Sequence, residues 1–216
     1  VNYITDCLKS LKNQSFKNYE IIVVDSGSDN TEKIAKKMGA NVIKQEKNGP
    51  GAARNVGAKL SKGRILVFAD ADCRFSNNFL QEIHEKFSKD IGGGICKLKI
   101  YDYDKKSQAI IFNMINLATK TLINLRFIVT SGSCFVYNRK AFFNANGFNE
   151  KLITNEDHDL ARRVGKKKRF EVFNDIIVET SCRRLKKMGP LKWTLTCLKS
   201  SLMYFLNHHG LDEYWN

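Results

Sequence analysis

The chain has 216 residues, with 36 Lys plus Arg against 22 Asp plus Glu and a formal charge of +14. With 43% apolar residues and only two prolines it can bury a core, which excludes collagen-like, low-complexity and wholly disordered chains. No apolar run of about 18 residues occurs, which argues against a membrane-spanning helix. The basic excess instead predicts an anionic partner: a nucleotide, a nucleic acid or an acidic lipid surface.

In chain order, Ile4, Leu8 and Leu11 recur at helical spacing, and residues 20–25 read as a buried strand ending on Asp25. Residues 26–30 form a turn able to cap a helix beginning near Thr31. A short strand over 41–44 follows. Then comes a loop at Gly49-Pro50-Gly51, and a helix with Ala52, Val56 and Leu60 on one face. Residues 65–69 are a second apolar strand, closing on Asp70-Ala71-Asp72, and Phe79, Ile83 and Phe87 mark the next helix. Apolar strands separated by helices predict an α/β fold with a mainly parallel sheet covered on both faces. Ligands of such sheets sit beyond the carboxyl ends of the strands, where both of these finish in aspartate.

Further on, Gly92-Gly93-Gly94 leads into a strand over 95–101. Ile111, Met114, Ala118, Leu122 and Leu125 mark a long amphipathic helix, and a Ser131-Gly132-Ser133 turn precedes a strand over 134–137. Residues 155–159 are an acidic knot opening a helix that carries Leu160 and Val164. From 162 to 199 there are 12 basic and 3 acidic residues. Gly189-Pro190 lies within a basic amphipathic helical region, about 185–209, whose Leu191, Leu195, Leu198, Leu202 and Phe205 form one stripe. That stripe either packs on the core or, accompanied by Trp193 and basic residues, grips an anionic membrane. With no repeat and no linker, the chain reads as a single domain, 1–216. It divides into a first half over about 1–90, which carries the strand-end acids, and a less regular second half over about 91–180. The six scattered cysteines suit reduced thiols in a cytosolic protein better than a zinc site.

Asp70 and Asp72 bracket one small residue at a strand end, so both carboxylates can reach one hard cation, Mg²⁺ or Mn²⁺. Turn aspartates that satisfy backbone N–H groups would look the same. Arg54, in the first turn of its helix, is poorly placed for the helix dipole, which points to a ligand contact; a surface arginine is the plain alternative. Glu156, Asp157 and Asp159 crowd three carboxylates, which raises at least one pKa and suits a general base, although capping accounts for one or two of them. His158 reads as packing or facing solvent.

In order along the chain, several segments resemble the family 2 glycosyltransferases, inverting enzymes of GT-A fold: residues 8–14, 20–31 (EIIVVDSGSDNT), 49–57 (GPGAARNVG), 70–72 (DAD) and 155–157 (NED). The resemblance implies a Rossmann-like three-layer α/β/α sandwich and transfer of a sugar from a UDP- or GDP-linked donor. It places Asp25 and Arg54 at the nucleobase end, Asp70 at the ribose and Asp72 on a divalent metal. Asp157 becomes the catalytic base, with Arg183 and Arg184 near the diphosphate. The family's double aspartate after the nucleotide strand is Asp25-Ser26 here, and its late histidine has no counterpart among 179–184. The family also opens with an apolar strand before the place where Val1 stands, so a slightly longer natural chain is expected.

The resemblance further implies a nucleotide-binding half over about 1–90, an acceptor-side half over about 91–180, a sugar acceptor and a role in cell-surface glycan or glycolipid synthesis. The basic tail adds the expectation of a lipid-linked acceptor and of a cytoplasmic protein, peripheral at the inner face of the membrane. No nucleic-acid partner is expected. The competing readings are a basic nucleic-acid or anionic-surface binding module without catalysis, and a nucleotidyltransferase of related fold.

Overall fold

The computed structural model describes residues 2–46, 49–130 and 132–207. The first half alternates helix and strand as the apolar spacing predicts: α1 (Asn2–Lys12), β1 (Ile22–Asp25), α2 (Thr31–Lys37), β2 (Asn41–Lys44), α3 (Gly49–Leu60), β3 (Ile65–Ala69), a two-residue β4 (Arg74–Phe75) and α4 (Phe79–Lys86). The second half adds β5 (Ile91–Ile100), α5 (Lys106–Asn124), β6 (Cys134–Asn138), α6 (Arg139–Asn144), α7 (Glu156–Gly165), β7 (Arg169–Thr180), α8 (Arg183–Met188) and α9 (Pro190–Asn207).

Among the described residues the strands form two sheets. β1 and β2 pair in parallel, and the other five lie in the order β3-β6-β5-β7-β4. β5 and β7 are parallel, β6 runs against both its neighbours, and β4 runs against β7, so the larger sheet is mixed. The reversal at β6 follows from connectivity. The chain leaves β5, runs through α5 and re-enters the sheet from the same end, which gives an antiparallel neighbour.

Side chains alternate along the strands and divide the core between the two faces. On β6, Phe135 and Tyr137 join Phe142 of α6 and Leu160 of α7, while Cys134 and Val136 join Phe79 and Ile83 of α4. Helices therefore cover the sheet on both sides in an α/β/α arrangement. The corner around β1 and β2 is much thinner: its fully buried apolar residues are Ile4, Leu8 and Ala35.

Four local expectations need correction. The glycines at 92–94 lie inside β5 rather than ahead of it. A Cβ at Gly93 would stand 2.6 Å from the Tyr137 ring, and one at Gly94 would stand 2.7 Å from the Glu171 carbonyl oxygen, so close approach and not a turn selects glycine. Helix α3 starts at Gly49, with Pro50 in its first turn, and Leu60 at its end is exposed. On α5 the buried residues are Gln108, Thr119 and Ile123, whereas Met114 and Leu125 face outward. The helix foreseen over about 185–209 is interrupted at Gly189, whose φ is +79°, and positions 208 and 209 lie outside the described residues. The stripe Leu191, Leu195, Leu198, Leu202 and Phe205 does not pack on the core: every member is exposed, and Ser200 and Tyr204 are the buried residues of α9. Ser131, of the turn before β6, also lies outside the described residues. No described helix is long and apolar enough to cross a membrane.

Candidate active site

Asp25 closes β1 and is buried. One carboxylate oxygen accepts from the Gly27 backbone N–H at 3.1 Å, which shapes the turn, and the other pairs with Lys44 Nζ at 3.0 Å. Lys44 is its register partner on β2, a neighbour that sequence spacing does not reveal.

The loop after β3 is tied down from two sides. Asp70 N–H donates to the Ser133 carbonyl at 3.0 Å, and Cys73 N–H donates to the Asp70 carbonyl at 3.1 Å. Asp72 is buried at 8% exposure, and its Oδ2 meets Arg183 Nε at 3.1 Å. Burial, and then the charge of Asp70, hold the Asp72 carboxyl above the usual carboxylate range, while Arg183 and Arg184 partly offset them. Arg183 opens α8, whose first turn is fixed by Asp102: the carboxylate accepts from Cys182 N–H at 2.7 Å and from the Ser181 hydroxyl at 2.6 Å.

Arg54 joins the two acidic segments. Its NH2 pairs with Asp70 at 3.0 Å and its NH1 with Glu156 at 2.5 Å, partners 16 and 102 residues away. The guanidinium also lies over the rings of Phe135 and Phe148, at 5.3 and 5.5 Å from their centroids. Arg54 stands in the second turn of α3 rather than the first, and two carboxylates and two rings offset its burial. The next residue anchors the helix: Asn55, buried, donates to the Phe148 carbonyl and accepts from the Phe148 N–H, both at 2.9 Å.

Glu156, Asp157 and Asp159 occupy the first turn of α7, where the dipole favours anions. Asn155 enters that turn with φ +62°, a left-handed conformation that asparagine tolerates better than most residues. Burial, then the adjacent Asp157 charge, push Glu156 up to about 7 against the pull of Arg54. Asp157 moves the other way. Burial acts to raise it, but His158, the hydrogen bonds from His158 and Thr130, and Arg54 outweigh burial and hold it well below the carboxylate range. Its Oδ2 accepts from Thr130 Oγ1 at 2.7 Å, and its Oδ1 accepts from the His158 backbone N–H at 2.9 Å, with the ring Nδ1 at 3.1 Å. His158 therefore packs against the carboxylate instead of facing solvent. Burial lowers its pKa, but the Asp157 charge outweighs this and raises it.

The geometry thus brings together Arg54, Asp70, Glu156 and Asp157, and it couples Asp72 to Arg183. Asp25 sits in the β1–β2 corner with Lys44. Glu156, Thr130, His158 and Lys44 are the site residues that sequence reasoning did not assign. Glu156 stood in the acidic knot, whereas a lone threonine ahead of β6 carries no signal. Among the described residues, no cluster of three or more His, Cys, Asp or Glu could cage a metal. Two neighbouring carboxylates, Asp70 half-exposed and Asp72 buried, fit a hard divalent cation that takes its remaining ligands from phosphate and water.

The α/β fold thus carries acids at the carboxyl ends of two strands, and an arginine that joins one of them to a second acidic motif at a helix start. A family model described as Glycosyl transferase family 2 matches residues 1–143, and the chain belongs to that family. Putative glycosyltransferase EpsH of Bacillus subtilis (strain 168) is 43% identical over 76 residues, 32% of this chain and 22% of EpsH. The minor teichoic acid biosynthesis protein GgaA of the same organism is 31% identical over 112 residues, 46% of this chain and 25% of GgaA. Among solved structures, S. aureus TarS 1–349 superposes with a TM-score of 0.65 at 25% identity, covering 83% of this chain and 56% of that one. A mannosyltransferase, PcManGT from Pyrobaculum calidifontis, in complex with GDP-Man and Mn²⁺, shares the fold with a TM-score of 0.66 at 14% identity, covering 92% and 61%. The fold is of the GT-A type. The chain spans less than two thirds of the length of each of these proteins.

Proposed function

We propose that the protein transfers a sugar from a nucleotide-diphosphate donor to an acceptor hydroxyl with inversion at the anomeric carbon. The observation that carries this is the Arg54 bridge, which sets Asp70 of the β3 loop against Glu156 and thereby beside Asp157. A donor-binding motif and a base motif far apart in sequence are thereby brought together. A TarS structure in complex with UDP, and PcManGT with GDP-Man and Mn²⁺, support a nucleotide-linked donor and a divalent metal.

In this reading the whole chain is one catalytic domain. Asp25, with Lys44, borders the nucleobase end, and Asp70 faces the ribose. Arg54, placed by resemblance near the base, also fixes the spacing of the two acidic motifs. Asp72 would hold the divalent cation, which when bound neutralises diphosphate charge. Arg183 and Arg184 stabilise the negative charge that builds on the leaving diphosphate. Asp157 takes the acceptor proton as the hydroxyl oxygen bonds to the anomeric carbon from the face opposite the leaving group. The C–O bond to the diphosphate breaks in the same step. For this, Oδ2 exchanges the Thr130 hydroxyl for the acceptor hydroxyl. The depressed Asp157 pKa keeps the carboxylate ionised but lowers its affinity for a proton, and giving up the Thr130 hydrogen bond in this exchange returns part of that basicity. GgaA, named for minor teichoic acid biosynthesis, supports a cell-surface polymer or glycolipid as acceptor, made at the cytoplasmic face of the membrane.

Calorimetric titration of UDP and of GDP, with and without Mn²⁺, tests the donor half. Metal-dependent binding of one nucleotide, lost in Asp72→Ala, is expected. A folded protein that binds neither in either condition would remove the reading.

A further inference from the structure

Helix α9 is built inside out. Its inward side is Trp193, packed against Ile100, Cys182 and Leu185, then Ser200, whose Oγ accepts from Asn155 Nδ2 at 2.7 Å, and Tyr204, whose OH donates to Asp159 Oδ1 at 3.3 Å. Its outward side is Leu191, Leu195, Leu198, Leu202, Phe205 and Leu206, each between 45% and 74% exposed. Helix α5 shows a second outward apolar row, Ile110, Met114 and Leu117, and the two helices meet where Phe112 stacks on Trp193 at 6.0 Å. Contiguous exposed leucines on this scale mark a surface that something covers.

Charge says what covers it. Residues 105–149 contain six Lys or Arg and no Asp or Glu, and residues 180–211 again contain six and none, in a chain that elsewhere carries all 22 of its acids. Both apolar rows therefore sit in acid-free basic segments. On α9 itself, exposed Lys192 and Lys199 flank a shallow groove whose other lining residues are Leu191, Leu195 and Thr196. A second protein surface would need acids set opposite these lysines, and this chain offers none from either segment. A bilayer rich in anionic headgroups meets apolar and basic groups together. At 18 residues, α9 is about 27 Å long and suits lying in the headgroup plane.

We propose that the outward face of α9, extended by that of α5, docks the protein onto an anionic lipid bilayer. The inward face of the same helix touches Asn155 and Asp159, which bracket Asp157. Docking therefore sets the base about one helix diameter, roughly 10 Å, from the headgroups, where a lipid-linked hydroxyl can reach it. The docking surface stands on these residues alone, whereas delivery of a lipid-linked acceptor rests on the proposed transferase activity.

The test is co-sedimentation of the full chain with vesicles of phosphatidylcholine alone and with 30–40% phosphatidylglycerol (roughly the range in which anionic surfaces act strongly), at low and high salt. Wild type should pellet with the anionic vesicles at low salt, bind at least about tenfold more weakly to neutral ones, and weaken as salt rises. The double variant Leu195→Glu, Leu202→Glu should lose about tenfold or more of that binding while keeping its thermal midpoint and its calorimetric UDP or GDP binding, because both positions face outward. Absence of vesicle binding by wild type would overturn the proposal. So would equal binding by the double variant, or a concentration-dependent dimer in light scattering that the variant abolishes. Loss of nucleotide binding in wild type, with vesicle binding intact, would sink the transferase reading and leave the docking surface standing.

Discussion

The two sheets of this molecule are held in different ways. In the larger sheet, β5 and β6 are buried along most of their length and packed on both faces, so tightly that three consecutive glycines are needed where β5 meets Val164 and Lys168, then Tyr137, then Phe173 and the β7 backbone. In the β1–β2 sheet the one buried strand residue is Asp25, and the supporting core is small. The carboxylates proposed for transfer stand on the rigid part, and the proposed nucleobase contacts stand on the thin part. A geometry that must be held to fractions of an ångström belongs on stiff elements, whereas a corner that admits a nucleotide tolerates a softer frame.

The largest expected effect is on the rigid side. Asp157→Asn should lower kcat by about 10²–10⁴ while leaving nucleotide binding unchanged, read by steady-state assay beside calorimetry. Full turnover in that variant would detach the base from α7. Next comes packing: Gly93→Val drives carbon into the Tyr137 ring, so a loss of about 3 kcal/mol or a failure to fold is expected from urea melts. Leu8→Ala in the thin corner should cost about 2–3 kcal/mol, the low end of the range for a buried leucine, because its surroundings can collapse into the space. If the two costs came out reversed, the contrast between the sheets would fail.

A third prediction concerns pH. Glu156 is raised in the fold from an ordinary value of 4.5 to about 7. Its stabilising contribution is therefore complete below about 4.5 and is lost as pH rises through 7. Between pH 5 and 8, wild type should lose up to ~2–3 kcal/mol relative to Glu156→Gln, measured as the difference in urea stability. Parallel curves for the two proteins would place Glu156 outside this range. The smallest effect belongs to the corner: Lys44→Ala removes a half-exposed ion pair with Asp25 and should change stability by less than about 1 kcal/mol.

Much of the fold was legible because apolar periodicity reports which elements form and in what order, and the acids at the ends of β1 and β3 were visible as such. Periodicity does not report whether an apolar face is covered. The rows on α5 and α9 have helical spacing and point outward, since spacing says only that one side differs from the other. The glycines of β5 look like a turn until the neighbouring Tyr137 is known. Arg54 was singled out by a dipole argument tied to the first turn of its helix. The structure places it in the second turn and gives a firmer reason, two carboxylates brought from distant segments. Thr130 and Lys44 could not be found at all, because their partners are set by tertiary pairing and strand register.

The burial of the cysteines has a practical consequence. Cys7, Cys73, Cys96, Cys134 and Cys182 are all buried, and burial raises the thiols of Cys7 and Cys73 well above their ordinary range, leaving little thiolate to react. Cys197, on α9, alone retains partial exposure. A maleimide dye added to the unaltered protein near neutral pH should therefore label one position, giving a fluorescent reporter on the C-terminal helix without an engineered handle.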